Sequence, residues 1–390
     1  MKPSWRAEHE RAKLKPSAGG GAMTISKRVF AAAALGIAVA CAGCAGRPSQ
    51  GVLVPTNDTV EGTSRVSILA VTTRERSTTD AGEMFNGKRA PLVSYASVGV
   101  SIPPDHTRTI GQVQWPASLP GDPRVHFVTT SAEYIDKPAF NASVSSAAKN
   151  VSGGKVLVFV HGFNNRFDDA VYRFAQIVHD AKAQGTPVLF TWPSRGEVGL
   201  GSYTYDRESA NYSRDALEQV IEALERNPNV KQINLLAHSM GNWIALEALR
   251  ARSIRAGKIG NKVRNVFLVA PDVDADVFRT QIARIGFPRP RVMLFVSQDD
   301  GAMKLSKLIW GGEQRLGDIN PEAEPYRSTL AGEQIIAFDL TKLKGNAHSR
   351  AFDDITEVMV LVRERVDEPV TPRHAGPRSV NRNVAAQRNN

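Results

Sequence analysis

The feature that most constrains the fold is the rhythm of residues 155–300, where apolar runs alternate with amphipathic segments. The runs KVLVFV, PVLFTW, INLLA and RVMLFV are apolar without alternation, and several of the segments between them have helical spacing. A strand that is apolar on both faces must be covered on both sides, as in a parallel sheet. The sequence therefore predicts a mostly parallel sheet with helices on both faces.

The rest of the chain divides around this core, which we place at residues 151–366. Residues 66–150 contain shorter runs such as VSILAVTTR and VHFVTT, and predict extra N-terminal β-strands of the same domain. The stretch between Pro271 and Arg291 is too short to hold a large cap domain. Residues 45–65 have the composition of a flexible tether, and residues 367–390 that of a disordered basic tail.

Residues 1–44 are interpreted as an N-terminal extension followed by an export signal. From Met23, where we expect translation to start, Lys27 and Arg28 precede an apolar run over 29–40. This run is too short for a permanent membrane span and is typical of a secretory signal.

The end of the signal resembles a bacterial lipobox, in which a cysteine becomes the lipidated first residue. Cys44 follows Ala42 and Gly43 and is the predicted site of lipidation, with Cys41 as the alternative. The predicted location is a membrane-anchored lipoprotein facing the periplasm. Because Ala45 is not an aspartate, the outer membrane is favoured; a soluble periplasmic protein is the alternative. The remaining chain has no cysteine, so it has neither disulfides nor a cysteine nucleophile.

The net charge of +10 is concentrated at the two ends of the chain, which leaves residues 29–368 nearly neutral. The high isoelectric point therefore does not indicate a nucleic-acid partner. The sequence contains no P-loop, dinucleotide-binding glycine pattern or metal-ligand spacing. We expect no cofactor and no metal.

Ser239 stands at the predicted corner between a buried strand and the next helix, in the stretch INLLAHSMGNWIALEALR. Such a corner exposes a serine hydroxyl above the sheet edge, and its usual pattern is G-x-S-x-G because small residues relieve crowding. Here Ala237 replaces the first glycine and Gly241 keeps the second. We interpret Ser239 as a nucleophile; the alternative is a serine that only caps the helix.

A serine nucleophile needs a base and an orienting acid, and in this architecture both follow it in the chain. His348 is the candidate base because the only other later histidine, His374, lies in the predicted tail. Asp300, after the run RVMLFV, is the candidate acid. The alternative acid is Asp299, and a further possibility is the group Asp272, Asp274 and Asp276.

An oxyanion needs preorganised N–H donors. The amide of Met240, directly after the nucleophile, is one candidate. The amide of Phe163, in the loop HGFNN after an apolar strand, is the other. His161 and Gly162 are expected to support this loop, and His161 is out of order for the base.

Residues 195–213, RGEVGLGSYTYDRESANYS, are the candidate lid or wall of the substrate pocket. The aromatic residues in this segment could line an acyl pocket or pack on the sheet rim, and its arginines could hold an anionic group or be paired and solvated. These residues are Tyr203, Tyr205, Tyr212, Arg195 and Arg207.

These segments resemble bacterial α/β-hydrolases of unknown function, an esterase/lipase-like family whose members are often lipoproteins. The resemblance rests on VLVFVHGFNNRFDDAVYRFAQIVHD, PVLFTWPSRG, INLLAHSMGNW, LVAPDVDADVF and VSQDDGAMKLS. It implies an α/β-hydrolase fold and a Ser-Asp-His triad. The family's acid motif S-x-D-D-x-A-L, laid onto 297–303, points to Asp300, with Met303 in place of leucine.

The sequence thus predicts a serine hydrolase acting on a small-molecule or lipid ester, with a membrane attachment through the lipid anchor. The alternatives are a peptidase, thioesterase or acyltransferase that uses the same triad, and a non-catalytic envelope scaffold. The presence of a nucleophile, an acid and a base in the chain order expected for this architecture argues against the non-catalytic scaffold. These residues do not separate an ester from an amide or thioester substrate.

Overall fold

The computed structural model describes residues 48, 51–57, 60–80, 82–299, 306 and 312–341. In this part of the chain the strands are β1 (Ser64–Arg76), β2 (Phe85–Ile102), β3 (Val128–Ile135), β4 (Lys155–Val160), β5 (Thr186–Thr191), β6 (Gln232–His238), β7 (Val263–Val269), β8 (Arg291–Val296) and β9 (Ile336–Asp339). The helices are α1 (Lys137–Asn150), α2 (Phe167–Asp180), α3 (Leu200–Arg226), α4 (Gly241–Ala256), α5 (Ala275–Ile285) and α6 (Tyr326–Gly332).

The strands form one sheet in the order β3-β2-β1-β5-β4-β6-β7-β8-β9. Strand β2 pairs antiparallel with β1 and β3, whereas every pairing from β1–β5 through β8–β9 is parallel. The prediction of a mostly parallel sheet with extra N-terminal strands is confirmed. Since parallel neighbours point the same way, the loops after β5, β4, β6, β7 and β8 gather at one edge.

The unalternated apolar strands supply two cores, one on each face of the sheet. In β4, Val156, Val158 and Val160 face one core, while Leu157 and Phe159 face the other. Helices α1, α3, α4 and α5 cover the first core, and α2 covers the second. This is the two-sided covering that a parallel sheet requires.

Helix α3 begins at Leu200, so most of the predicted lid or wall segment 195–213 is its first half rather than a loop. The sequence analysis did not predict this half of the helix because most of its buried residues are polar. Ser209 accepts a hydrogen bond from Arg89 Nε at 3.0 Å, and the Ser213 hydroxyl lies 2.8 Å from that of Thr73. Only Tyr203 and Ala210 are apolar among the buried residues of this half, so the pattern carried little helix signal.

Two further elements differ from the sequence interpretation. The predicted β-rich segment 66–150 ends in helix α1, which is capped by Asp136 through a 2.7 Å hydrogen bond from the Ala139 amide. Within the predicted tether 45–65, Val52 and Leu53 are buried in the second core. The chain is therefore packed on the domain at these residues, because both apolar side chains are buried in the second core.

In the part of the chain that the structure describes, no helix is long and apolar enough to cross a bilayer.

Candidate active site

Ser239 lies at the corner between β6 and α4, at the edge where the parallel strands end. Its φ of +50° falls in the left-handed region that residues with a Cβ seldom adopt. Two groups hold it there: its amide donates to Val269 O at 3.0 Å, and its carbonyl accepts from Asn242 Nδ2 at 2.9 Å. A strained serine at a strand-to-helix corner is the expected setting of a hydrolase nucleophile.

Gly241 allows the corner to close onto strand β4. A Cβ at this position would lie 2.4 Å from His161 O and 2.6 Å from Val160 O, which are backbone atoms that cannot move aside. The predicted supporting role of Gly241 thus has a steric basis. Ala237, the other small residue of the motif, is fully buried.

The loop HGFNN lies directly against the serine. A Cβ on Gly162 would stand 2.9 Å from Ser239 Cβ and 3.0 Å from His238 Nδ1. Gly162 therefore packs on the nucleophile, one residue before Phe163, whose amide is a predicted oxyanion donor. Met240, the other predicted donor, has helical backbone angles at the start of α4.

His161 is a buried support for this loop. Its Nε2 accepts from the Trp192 amide at 3.2 Å and lies 2.9 Å from the Thr191 hydroxyl, so its Nδ1 carries the proton and donates to Gly162 O at 2.9 Å. Burial first, and the nearby Arg74 cation second, lower the pKa of His161 well below its usual value. His161 is therefore neutral at physiological pH.

A buried arginine that the sequence analysis did not identify fixes the far end of the loop. Arg74, at the end of β1, donates from Nη2 to Asn165 O at 2.7 Å and from Nη1 to Ser194 O at 2.8 Å. Desolvation lowers its pKa to about 10, against the opposing effect of Asp206, so it stays charged at neutral pH. The sequence feature that could have identified this residue is an arginine at the end of the strand-like run VSILAVTTR.

Asp206 on α3 completes this support from the other side. Its carboxylate accepts from Ser194 Oγ at 2.5 Å, the Arg195 amide at 2.9 Å and the Asn164 amide at 3.3 Å. Desolvation raises its pKa in spite of these donors. Two loops of the site, after β4 and after β5, are thus tied to one buried acid.

The candidate base His348 and the candidate acid Asp300 lie outside the described residues. The alternative acid Asp299 is described: it follows β8 and accepts a hydrogen bond from Ser297 Oγ at 2.6 Å. The triad assignment therefore stays a prediction.

Asp272 lies beside Ser239, but its carboxylate already has close donors. Its amide donates to Ser239 O at 3.3 Å, while its side chain accepts from Tyr203 OH at 2.5 Å and from Ser306 Oγ at 2.5 Å and pairs with Arg315 Nε at 3.0 Å. This occupancy disfavours Asp272 as the orienting acid.

The other acids of that group have structural places. Asp274 caps α5 by accepting from the amides of Asp276 and Val277, and Asp276 lies in the first turn of that helix.

The predicted wall residues separate into two groups. Tyr203 is buried, and its ring lies 5.3 Å from the ring of Phe163, so it borders the site. Tyr205 and Tyr212 instead pack on β2, where their hydroxyls donate to Gly87 O at 3.0 Å and Ala90 O at 2.7 Å. They belong to the sheet rim, which was the alternative interpretation.

The two arginines of the segment stack on aromatic rings. The Arg195 guanidinium lies 4.0 Å from the centre of the Tyr205 ring, and that of Arg207 lies 4.5 Å from the Trp243 ring. Arg207 and Tyr203 are one turn apart on α3, and desolvation lowers the pKa of Arg207. The segment thus borders the site through Tyr203, while Arg207 stacks on the first turn of α4.

A comparison with protein families matches the model described as "Alpha/beta hydrolase of unknown function (DUF900)" over residues 136–365. The match begins just before α1 and takes in every strand from β4 to β9. No curated protein matches the chain.

Several solved structures resemble the chain at low identity. A lipase-esterase related protein from Clostridium acetobutylicum ATCC 824 is 13% identical, with a TM-score of 0.32, over 54% of this chain and 93% of that chain. A fungal esterase from Rhizomucor miehei is 11% identical, with a TM-score of 0.32, over 89% of this chain and 92% of that chain.

Proposed function

Because the chain belongs to the family of α/β-hydrolases of unknown function designated DUF900, we propose that it is a serine hydrolase that cleaves carboxylic esters. The observation that carries the proposal is the corner at Ser239. A partly exposed serine is held at a φ of +50° with Gly162 packed against it, at the sheet edge where this fold places its reactive groups.

The proposed reaction has two halves. Ser239 Oγ attacks the carbonyl carbon while His348, oriented by Asp300, takes the hydroxyl proton. The amides of Phe163 and Met240 stabilise the oxyanion. The carbon–oxygen bond of the ester breaks, and His348 returns the proton to the departing alcohol.

In the second half, His348 takes a proton from water as the water attacks the acyl-serine. The acid product leaves and Ser239 recovers its proton. Water is the second substrate, and the residues supply the nucleophile, base, acid and oxyanion donors, so no cofactor is needed.

The test is labelling of the purified full chain with a fluorophosphonate probe, beside Ser239→Ala. We expect labelling of the wild type only, followed by hydrolysis of p-nitrophenyl esters. A well-folded wild type that is not labelled would contradict the proposal. Cleavage of amides or thioesters in preference to esters would move the assignment to the peptidase or thioesterase alternative on the same serine.

The adjacent carboxylates allow a matched test of the acid. Asp300→Asn is expected to lower kcat by about 10⁴-fold, as the loss of a triad acid does. Asp299→Asn, one residue away, is expected to leave kcat within a few-fold. The reverse order would assign the acid to Asp299. His348→Ala should abolish turnover, and unchanged activity there would contradict the triad.

We also propose that the chain is exported and lipidated at Cys44. The support is the sequence pattern over 23–44, with its positive start, apolar run and terminal cysteine. Cys44→Ala is expected to move the protein from the membrane fraction to the soluble periplasm. Retention in the membrane by this variant, and release by Cys41→Ala, would assign the lipid to Cys41.

A further inference from the structure

The N-terminal chain is held at the edge of the sheet that carries Ser239. Pro48 O accepts a hydrogen bond from Arg166 Nη2 at 2.8 Å. Arg166 directly follows the loop HGFNN, and Gly196, in the loop after β5, packs on its side chain, where a Cβ would lie 2.3 Å from Arg166 Cγ. Pro48 is thus beside two of the loops that build the site.

The residues after Pro48 are fixed to the body of the domain. Val52 and Leu53 are buried, and Val52 O accepts from Thr129 Oγ1 at 3.0 Å and from Tyr172 OH at 3.2 Å. Only three residues separate Cys44 from Pro48, so a lipid on Cys44 would be four residue steps from a point of the chain that is held on the domain. Four residues span at most about 14 Å when fully extended.

Apolar side chains are exposed at the same edge. Val198 and Leu200 are 41% and 61% exposed, and both lie close in sequence to Gly196, which contacts Arg166. Leu200 opens α3 one turn before Tyr203, whose ring packs beside Phe163. Single exposed apolar residues are ordinary. These two stand at the rim of the site, close to the point where the chain from Cys44 arrives.

Exposed cations flank the two apolar side chains. Arg195 and Arg89 stack on the Tyr205 ring, with their guanidinium carbons 4.0 Å and 4.6 Å from its centre. Lys88 is exposed beside Arg89. Glu197, the acidic residue between Arg195 and Leu200, accepts a hydrogen bond from Ser202 Oγ at 3.3 Å. We call Lys88, Arg89, Arg195, Val198 and Leu200 the rim surface.

We propose that the rim surface lies on the membrane that holds the lipid anchor, so that the site opens toward the bilayer and takes acyl esters residing in it. Val198 and Leu200 enter the headgroup boundary, and the three cations face anionic headgroups. The proposal rests on the proposed function, because Ser239 identifies this edge as the mouth of the site. It narrows the substrate class to lipid esters.

The orientation can be measured without hydrolysis. In the full chain with Cys41→Ala, Leu200→Cys is labelled with an NBD fluorophore; a lipidated Cys44 has no free thiol. The protein is reconstituted in vesicles of phosphatidylethanolamine and phosphatidylglycerol. Phe287→Cys is the matched control: Phe287 is 58% exposed and precedes β8, at the opposite edge of the sheet.

We expect NBD at position 200 to be blue-shifted and quenched by spin-labelled lipids, and NBD at position 287 to behave as in water. Equal quenching at the two positions, stronger quenching at 287, or a chain that does not associate with the vesicles would overturn the proposal.

A second measurement separates this proposal from the proposed function. The double variant Val198→Asp/Leu200→Asp is expected to lower hydrolysis of a vesicle-embedded ester by about tenfold or more, since it removes apolar contact with the bilayer. It should keep hydrolysis of p-nitrophenyl acetate within about twofold. Phe287→Asp should change neither rate.

Equal loss by the Phe287→Asp control, or no loss by the double variant, would overturn the membrane orientation while leaving the serine hydrolase intact. A wild type that is inactive on both substrates and unlabelled by fluorophosphonate would instead contradict the proposed function.

Discussion

Arg74 Nη2 lies 2.7 Å from Asn165 O and donates a hydrogen bond to it, which joins strand β1 to the loop beside Ser239. The same guanidinium donates to Thr191 Oγ1 at 2.9 Å, so it also reaches the end of β5. Arg74 is 1% exposed. The N-terminal strands are therefore part of the scaffold that positions the site, as well as an extension of the sheet.

Replacing Arg74 is expected to damage stability and catalysis together. Arg74→Gln leaves Asp206 without its nearby cation and several carbonyls without a donor, so unfolding should become easier by about 3–5 kcal/mol. Arg74→Lys keeps the charge but loses the planar array of donors, so it should fold and lower kcat more than it raises KM. The measurements are urea unfolding and steady-state kinetics.

Arg76, two residues later, is the matched control because it is exposed and its guanidinium stacks on Tyr134, 4.4 Å from the ring centre. Arg76→Gln should cost no more than about 1 kcal/mol and leave kcat unchanged. If Arg74→Lys kept the full wild-type kcat, the positioning role of Arg74 would be wrong.

The sequence predicted the parts of the fold whose residues carry a periodic signal. The runs ending at Val160 and His238 are apolar on both faces, and the sheet follows from them. The first half of α3 escaped prediction because Ser209 and Ser213 form a polar buried face. The role of Arg74 was not predicted because its main hydrogen-bond acceptors are backbone carbonyls in loops far away in the sequence, so no local sequence pattern indicates the contact. The small residues around Ser239 were predictable since their sizes are set locally.

Gly162→Ala is predicted to inactivate the enzyme while leaving most of the fold. Its methyl group would stand 2.9 Å from Ser239 Cβ, so either the loop or the serine must move, and the oxyanion donor moves with it. Misplacing one such donor costs about 10²–10³ in kcat. The measurement is kcat on a soluble ester, with fluorophosphonate labelling as a second readout.

Gly332→Ala controls for the substitution itself, because nothing lies within 4 Å of its added Cβ. That variant should retain full activity. Full activity in Gly162→Ala would mean that this loop does not supply an oxyanion donor.

The buried neutral His161 predicts a loss of stability in mild acid. Because burial lowers its folded-state pKa, the unfolded chain takes up a proton below about pH 6.5 that the folded chain does not. The free energy of unfolding should therefore fall with pH from about 6.5 down to the lowered pKa, by up to about 1.4 kcal/mol per pH unit from this residue.

The comparison with His161→Gln isolates this effect, since the variant keeps all other histidines, including His179, whose pKa is also lowered, chiefly by burial. Urea unfolding at pH 7.5, 6 and 5 should give a steeper decline for the wild type than for the variant. Parallel declines would show that His161 is not the group that titrates.

The variant Ser239→Gly is predicted to be more stable than the variant Ser239→Ala. Its φ of +50° costs a residue with a Cβ about 1–2 kcal/mol, whereas glycine adopts this region freely and loses about 0.5–1 kcal/mol through the entropy of its unfolded chain. Ser239→Gly should therefore exceed Ser239→Ala in stability by about 0.5–1 kcal/mol, with both variants inactive. The opposite order is expected at Ser146, which is exposed and helical. There the alanine variant should be more stable than the glycine variant by about 1 kcal/mol in the free energy of unfolding. Thermal unfolding of the four variants measures both differences, and the same order at the two positions would mean that the corner at Ser239 is not strained.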